Sequence, residues 1–151
     1  MDEETAQLWM REALAEARKA EATEEVPIGA VLLLNGKVIG RGYNSSIRLD
    51  DPTAHAEIVA LRQAACVMSN YRLPGSTLIV TIEPCIMCVG AMIQARVETL
   101  VYGAADPKAG AVHSCFQLAD GPSLNHKILV ESGVLEEECS SILKDFFHTR
   151  R

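Results

Sequence analysis

The spacing of apolar residues predicts a long helix near the start of the chain. Between residues 3 and about 21, small and apolar side chains recur every three or four positions, which is the period of one helix face. These positions are Ala6, Met10, Ala13, Ala17 and Ala20, with Trp9 and Leu14 beside them. We therefore expect this helix to pack against the fold through one side.

A β-hairpin is predicted directly after this helix. Two apolar runs, 27–34 and 37–40, are joined by Asn35-Gly36. Both central positions of a tight hairpin turn need a positive φ, which Asn and Gly tolerate best, so the pair is a strong hairpin signal.

Helices and strands alternate through the rest of the chain. Asp51 is a plausible N-cap, with Pro52 at the first helical position. The elements predicted from here on are a helix over 51–68, a strand over 76–82, a helix over 84–96, strands over 99–102 and 127–130, and a helix over 134–147. The order α-β-β-α-β-α-β-β-α predicts an α/β fold of three layers, with a mixed five-stranded sheet between helices on both faces.

Length and charge restrict the function classes. The chain has 151 residues, 48% of them hydrophobic, which predicts one domain over 1–151 with a substantial core. A net charge of −6 counts against a broad nucleic-acid surface. Basic residues do gather at the C-terminus, at Lys144, Arg150 and Arg151, and a short RNA element needs only a local basic rim.

The sequence also bears on location. We find no apolar run of membrane length and no apolar segment behind the acidic start, so we expect neither a membrane span nor a secretory signal. Five cysteines, an odd number, favour a reducing compartment over a disulfide framework. We therefore expect a cytoplasmic protein.

Two short segments offer metal ligands. His55-Ala56-Glu57 supplies an imidazole, and Pro84-Cys85-Ile86-Met87-Cys88 supplies two thiolates. Three protein ligands leave one position of a zinc tetrahedron open, as catalytic zinc sites do. Alone, the C-x-x-C pair could be a redox pair or two core thiols, and the histidine could be structural. Because both segments occur together, each at the start of a predicted helix, a zinc site is favoured over these alternatives.

Glu57 has a different predicted role. In a helix, residues two apart point about 200° away from each other, so Glu57 is poorly placed to bind a metal beside His55. It is better placed to take a proton from a water that zinc activates and to pass it on.

The combination H-x-E and P-C-x-x-C resembles the signature of zinc deaminases that act on nucleobases. That signature leaves cytidine, deoxycytidylate, guanine, riboflavin-pathway and tRNA adenosine deaminases open. Residues 51–58 and 83–92 resemble bacterial tRNA-specific adenosine deaminases but are also similar to bacterial guanine deaminase. Residues 106–111, Leu124-Asn125-His126, and Phe146-Phe147 with Arg150-Arg151 favour the tRNA enzymes.

This resemblance implies a cytidine-deaminase-like fold, one Zn²⁺ per subunit, a homodimer and no other protein partner. It implies a tRNA anticodon stem-loop as substrate, with the wobble adenosine of an arginine tRNA converted to inosine. The implied substrate contacts are Asn44 and the Ala56 main chain with the purine, Asp106 and Lys108 with sugar or phosphate, Asn125 across a dimer interface, and Phe147 and Arg150 with the anticodon loop.

Several residues stand outside this pattern. His113 occupies a position where the resemblance predicts a small residue, and we expect His113, His126 and His148 not to bind metal. We expect Cys66, Cys115 and Cys139 to be buried as small hydrophobic residues. Two other hypotheses stay open: a free-base deaminase, guanine deaminase foremost, and a zinc-stabilised binding module. Glu57 and the three-ligand set argue against the binding module.

Overall fold

The elements of the fold follow the predicted order. A computed structural model describes residues 1–150, and Arg151, the last residue of the basic tail, lies outside them. The elements are α1 (Glu3–Ala22), β1 (Gly29–Leu34), β2 (Lys37–Tyr43), α2 (Ala56–Met68), β3 (Thr77–Ile82), α3 (Ile86–Ala95), β4 (Thr99–Ala104), β5 (Leu129–Glu131) and α4 (Glu136–Thr149).

The five strands form one mixed sheet in the order β2-β1-β3-β4-β5. β1 runs antiparallel to β2 and β3, whereas β3, β4 and β5 are parallel. Asn35 and Gly36 form the β1–β2 turn with φ values of 52° and 74°, as the hairpin prediction requires. The predicted mixed sheet is therefore confirmed.

Apolar residues alternate between the two faces of this sheet. Val31 and Ile79 belong to a cluster with α1 and α4, whereas their neighbours Leu32 and Val80 belong to a second cluster with α2 and α3. The predicted face of α1 is buried in the first cluster through Met10, Ala13 and Ala17. Helices thus cover both faces, and α2 and α3 share the second face.

The start of α2 differs from the prediction. α2 begins at Ala56 with His55 at the N-cap, not at Asp51-Pro52. The Asp51 carboxylate instead accepts hydrogen bonds from the Thr53 amide at 2.8 Å and the Thr53 hydroxyl at 2.7 Å, which closes a local turn. Such side-chain turns compete with helix formation. α3 likewise begins later than predicted, at Ile86, with Cys85 at its N-cap.

The cysteine prediction was only partly right. Cys139 is fully buried, where burial raises its pKa to about 12, but Cys66 and Cys115 are exposed. In residues 1–150, no helix combines the length and apolar character needed to cross a membrane.

Candidate active site

The three predicted metal ligands meet where two helices begin. His55 occupies the N-cap position of α2, Cys85 occupies the N-cap position of α3, and Cys88 lies in the first turn of α3. Their ligand atoms all lie within 4.8 Å of one another. His55 Nδ1 is 3.5 Å from the Sγ atoms of both cysteines. A tetrahedral zinc with ordinary Zn–N and Zn–S bonds would separate these atoms by roughly 3.6 Å, so the set fits zinc.

The three groups also shift one another's pKa values. The pKa of Cys85 is lowered to about 3, first by a hydrogen bond with Cys88 and then by His55. The same hydrogen bond, together with burial, raises the pKa of Cys88. Hydrogen bonding with Cys85 raises the pKa of His55. A dication takes the place of such shared protons and holds both sulfurs as thiolates.

Glu57 is the second residue of α2 and is buried, with 3% of its surface exposed. It is not a member of the three-residue cluster. Burial raises the pKa of Glu57 to about 7. A carboxylate with a pKa near neutrality can both accept and donate a proton under physiological conditions.

Asn44 contacts the first residue of α2. It follows β2, and its side-chain Oδ1 accepts a hydrogen bond from the Ala56 amide at 2.9 Å. β2 can come this close because Gly42 has no side chain: a Cβ there would lie 2.4 Å from the Ala56 carbonyl oxygen. The structure thus brings Asn44 and Ala56 together, and the Ala56 N–H donates its hydrogen bond to Asn44.

A cavity of about 840 Å³ gathers four of the other predicted residues. Asp106 and Lys108 line it from the loop after β4, and Phe147 and Arg150 line it from the C-terminal end of the chain. Ile82 and Ala104, paired at the ends of β3 and β4, also line it, and the predicted ligand Cys85 stands three residues after the end of β3. The cavity therefore lies at the same edge of the sheet as the metal site.

Lys144, predicted only as part of a basic C-terminal rim, and His148, for which no site was predicted, both line this cavity. Lys144 stands three residues before Phe147 and four before His148, and residues at these spacings share a helix face. Three basic residues, Lys108, Lys144 and Arg150, line the cavity with one acidic residue, Asp106, so the cavity is more basic than the chain as a whole. Helical spacing around Phe147 was the signal that could have found them.

The Phe-Phe pair divides between core and surface. Phe146 is buried, whereas 51% of Phe147 is exposed, and the two rings meet edge to face with centroids 5.4 Å apart. The Arg150 guanidinium lies 3.9 Å from the Phe146 ring centroid and 3.9 Å from a Glu24 carboxylate oxygen. Phe147 is therefore a surface aromatic residue beside the cavity.

The remaining predicted residues lie elsewhere. Asn125 is exposed in the loop between β4 and β5, outside this cavity. His113 Nδ1 is 2.8 Å from the Tyr102 hydroxyl, and His126 Nε2 is 2.7 Å from the Val97 carbonyl oxygen.

Glu83 is a residue to which the sequence analysis gave no role. It is 1% exposed, and it accepts hydrogen bonds from residues of the loop that carries Asp106 and Lys108. Burial alone would raise its pKa, but hydrogen bonds from Ser114 and from the His113 and Asp106 amides outweigh burial and hold it at about 2. Its position just before the P-C-x-x-C segment was the available signal.

Comparison with known proteins identifies the family. The model of the cytidine and deoxycytidylate deaminase zinc-binding region matches residues 3–104. A tRNA-specific adenosine deaminase of Haemophilus influenzae is 54% identical over 94% of this chain and 83% of its own length. This chain belongs to the tRNA-specific adenosine deaminases.

Solved structures agree with this family. A chain from work on A-to-I editing by tRNA deaminases at the wobble position superposes with a TM-score of 0.87 and 49% identity, covering 89% of this deaminase and 98% of that chain. A guanine deaminase from Nitrosomonas europaea superposes with a TM-score of 0.77 and 25% identity, and the match covers 93% of this chain and 83% of that chain. The protein is thus a zinc-dependent deaminase with one Zn²⁺ per subunit, and the predicted cytidine-deaminase-like fold is confirmed.

Proposed function

We propose that this deaminase hydrolyses the adenosine at the wobble position of a tRNA anticodon, that of an arginine tRNA, to inosine. The observation that carries the proposal is the convergence of His55, Cys85 and Cys88 at two helix starts, in a chain 54% identical to a tRNA-specific adenosine deaminase.

His55 Nδ1 and the sulfurs of Cys85 and Cys88 would hold the zinc. Bound zinc supplies a water that loses its proton near neutral pH and so becomes a nucleophile. The start of α3 supports the two thiolates, because the N-terminus of a helix carries partial positive charge.

Glu57 would carry the protons. Its carboxylate accepts the proton that the water releases and delivers it to the ring nitrogen next to the reacting carbon. Hydroxide would add at C6 of the purine. Glu57 would then take the proton of the new C6 hydroxyl and pass it to the exocyclic nitrogen, so that the C6–N bond breaks, the C6 carbonyl of inosine forms and ammonia leaves. Burial keeps bulk water away from this carboxylate, so the proton stays within the site.

Asn44 and Ala56 would receive the purine. The Asn44 Oδ1 is held by the Ala56 amide, which fixes the plane of the side chain. Its NH₂ group is the donor that we assign to the base. An anticodon base is already unpaired, so turning it into the site costs less than extracting a base from a duplex.

The RNA around the base would occupy the cavity beside the sheet. Lys108, Lys144 and Arg150 supply positive charge for phosphates, and exposed Phe147 offers a flat surface for a base. Asp106 would contact a ribose. This local basic rim supports RNA binding despite the net charge of −6.

A homodimer would form through α2 and α3. An apolar groove of about 410 Å³ runs between these helices, and its lining includes Ile58, Leu61, Tyr71, Met87 and Ala91. Tyr71 is 69% exposed, and such surfaces favour association. A partner on this face would lie beside the Cys85–Cys88 segment, and its Asn125 would reach the substrate from across the interface.

The proposal also treats residues 1–151 as one functional domain acting in the cytoplasm, where its RNA substrate is found. The cysteines are unpaired, as expected in a reducing compartment.

The test is inosine formation in an arginine tRNA transcript. Zinc-loaded protein is incubated with the transcript, and reverse transcription reads inosine as an adenine-to-guanine change. We expect conversion at the wobble position, and none with Glu57→Gln. Deamination of guanine without conversion of the tRNA would overturn the substrate assignment and keep the zinc chemistry.

The dimer has a separate test, the mass of the protein in solution measured by scattering. If the wild-type protein has the mass of a monomer, and Tyr71→Glu has the same mass, the proposed dimer is wrong.

A further inference from the structure

The segment after β4 forms an irregular strap, residues 105–115, over the edge of the sheet. Its two internal main-chain bonds run from the Gly110 amide to the Asp106 carbonyl and from the Cys115 amide to the Gly110 carbonyl, both at 2.9 Å. The Asp106 carboxylate also accepts from the Lys108 and Ala109 amides, and the Cys115 thiol lies 3.2 Å from the Pro107 carbonyl oxygen. Most of its residues are exposed. Because Asp106 and Lys108 belong to the strap, its position decides where these two residues stand relative to the metal site.

Glu83 fastens the strap at both ends. One carboxylate oxygen, Oε1, accepts from the Asp106 amide at 3.1 Å and from the Ser114 hydroxyl at 2.5 Å. The other, Oε2, accepts from the amides of Val112, His113 and Ser114 at 3.1, 2.8 and 3.0 Å. These five hydrogen bonds draw the strap around a single buried side chain.

We call Glu83 and the five hydrogen bonds that it accepts from the strap the clamp. The clamp requires a carboxylate. Glu83 is buried, and the bonds that it accepts come from neutral N–H and O–H groups, whose dipoles converge on the charge. A neutral side chain could accept at one atom only and would leave several amides of the strap without a partner, which costs free energy.

The strap itself makes room for this carboxylate. A Cβ at Gly110 would lie 2.3 Å from the Glu83 carboxyl carbon, so a larger residue there would displace the clamp. The Ala111 amide also donates to the Pro84 carbonyl at 2.8 Å. The strap is therefore attached to Glu83-Pro84, immediately before the metal ligand Cys85.

We propose that Glu83 is a positioning residue for substrate binding: it holds Asp106 and Lys108 at a fixed distance from the metal site without touching the RNA. The proposal rests on the function proposed above. It gives Glu83 an indirect role in substrate binding and no role in proton transfer or in metal binding.

The kinetic test compares two buried glutamates. Glu83→Gln places an NH₂ group against the amide donors of the strap, whereas Glu16→Gln alters a glutamate of α1 that binds Lys19 and Arg41. For an arginine anticodon stem-loop, we expect Glu83→Gln to raise KM about tenfold while kcat and zinc content stay near wild type. Glu16→Gln should lower the melting temperature and leave KM unchanged. A KM unchanged in Glu83→Gln, or an equal rise in Glu16→Gln, would overturn the proposal.

Two milder variants serve if Glu83→Gln fails to fold. Ser114→Ala removes only the hydroxyl bond, and Ser114→Thr keeps it. We expect KM to rise with Ser114→Ala and to return with Ser114→Thr, which a general loss of stability would not produce. Equal KM values for the two variants would contradict the clamp.

A measurement that needs no activity separates this proposal from the proposed function. Amide hydrogen exchange should quicken at Asp106 and at residues 112–114 in Ser114→Ala, while β3 keeps its protection. If wild-type protein leaves the tRNA unchanged but exchange responds in this way, the proposed substrate is wrong and the clamp stands. If exchange does not respond, the clamp is wrong whatever the substrate.

Discussion

The side-chain Oδ1 of Asn44 accepts a hydrogen bond from the main-chain amide of Ala56 at 2.9 Å. This bond joins the end of β2 to the first residue of α2, between the metal ligand His55 and the buried Glu57. Asn44 thus serves one of the amides that a helix leaves unpaired at its start, although it lies twelve residues away in sequence.

Two substitutions of Asn44 should separate its structural and substrate roles. Asn44→Ala leaves the Ala56 amide without its partner and should cost about 1 kcal/mol of stability as well as activity. Asn44→Asp keeps the acceptor and removes the NH₂ donor, so the melting temperature should stay near wild type while kcat/KM falls. Thermal melts and tRNA kinetics check both. Full activity in Asn44→Asp would contradict the assigned contact with the purine.

Glu57→Gln should lower turnover sharply and leave the fold intact. Proton transfer by a positioned side chain contributes about 10²–10⁴-fold, so kcat should fall by that order. Removing a buried ionisable group should not lower the melting temperature. Single-turnover kinetics and metal analysis on the same sample are the measurements. Near-normal kcat with full zinc would remove Glu57 from the mechanism.

Cys88→Ser should empty the zinc site, because serine replaces a thiolate with a poor ligand for this metal. Cys66→Ser is the matched control. Cys66 lies in α2, which covers the same face of the sheet as α3, but it is exposed and is not one of the three clustered residues. Zinc per subunit, measured by elemental analysis, should fall far below one in the first variant and stay at one in the second. Full occupancy in Cys88→Ser would mean that the ligand set is wrong.

Ser76→Ala should stabilise the protein slightly or leave it unchanged. Among the described residues, the Ser76 hydroxyl is fully buried and makes no hydrogen bond. An unpaired buried hydroxyl costs free energy, so replacing it with a methyl group removes that cost. Urea denaturation provides the measurement. A loss above about 1 kcal/mol would show that the hydroxyl has a partner in solution, such as a buried water.

The sequence predicted elements well where a local signal determines the backbone. Asn35-Gly36 specified the hairpin because the positive φ values it favours are needed only in such a turn. The start of α2 was wrong because two local signals competed. Asp51 has the chemistry of an N-cap, but its carboxylate closes a turn on Thr53 instead.

Relationships between distant residues could not be read from the sequence. The partners of Glu83 lie 23 to 31 positions further along the chain, so only the folded strap shows its role. The exposure of Cys66 and Cys115 depends on which side of an element faces solvent, and a cysteine by itself does not indicate a side. The convergence of His55, Cys85 and Cys88 was predictable because their spacing and chemistry are specific.

His55 stands 30 residues before Cys85 and 33 before Cys88, and all of α2 and β3 lies between them. An ion bound to all three closes this stretch of chain into a ring. Like a disulfide, it restricts the unfolded chain and so removes some of the entropy that unfolding would gain. Zinc should therefore act as a cross-link as well as a reagent, and chelation should loosen α2 and α3 together.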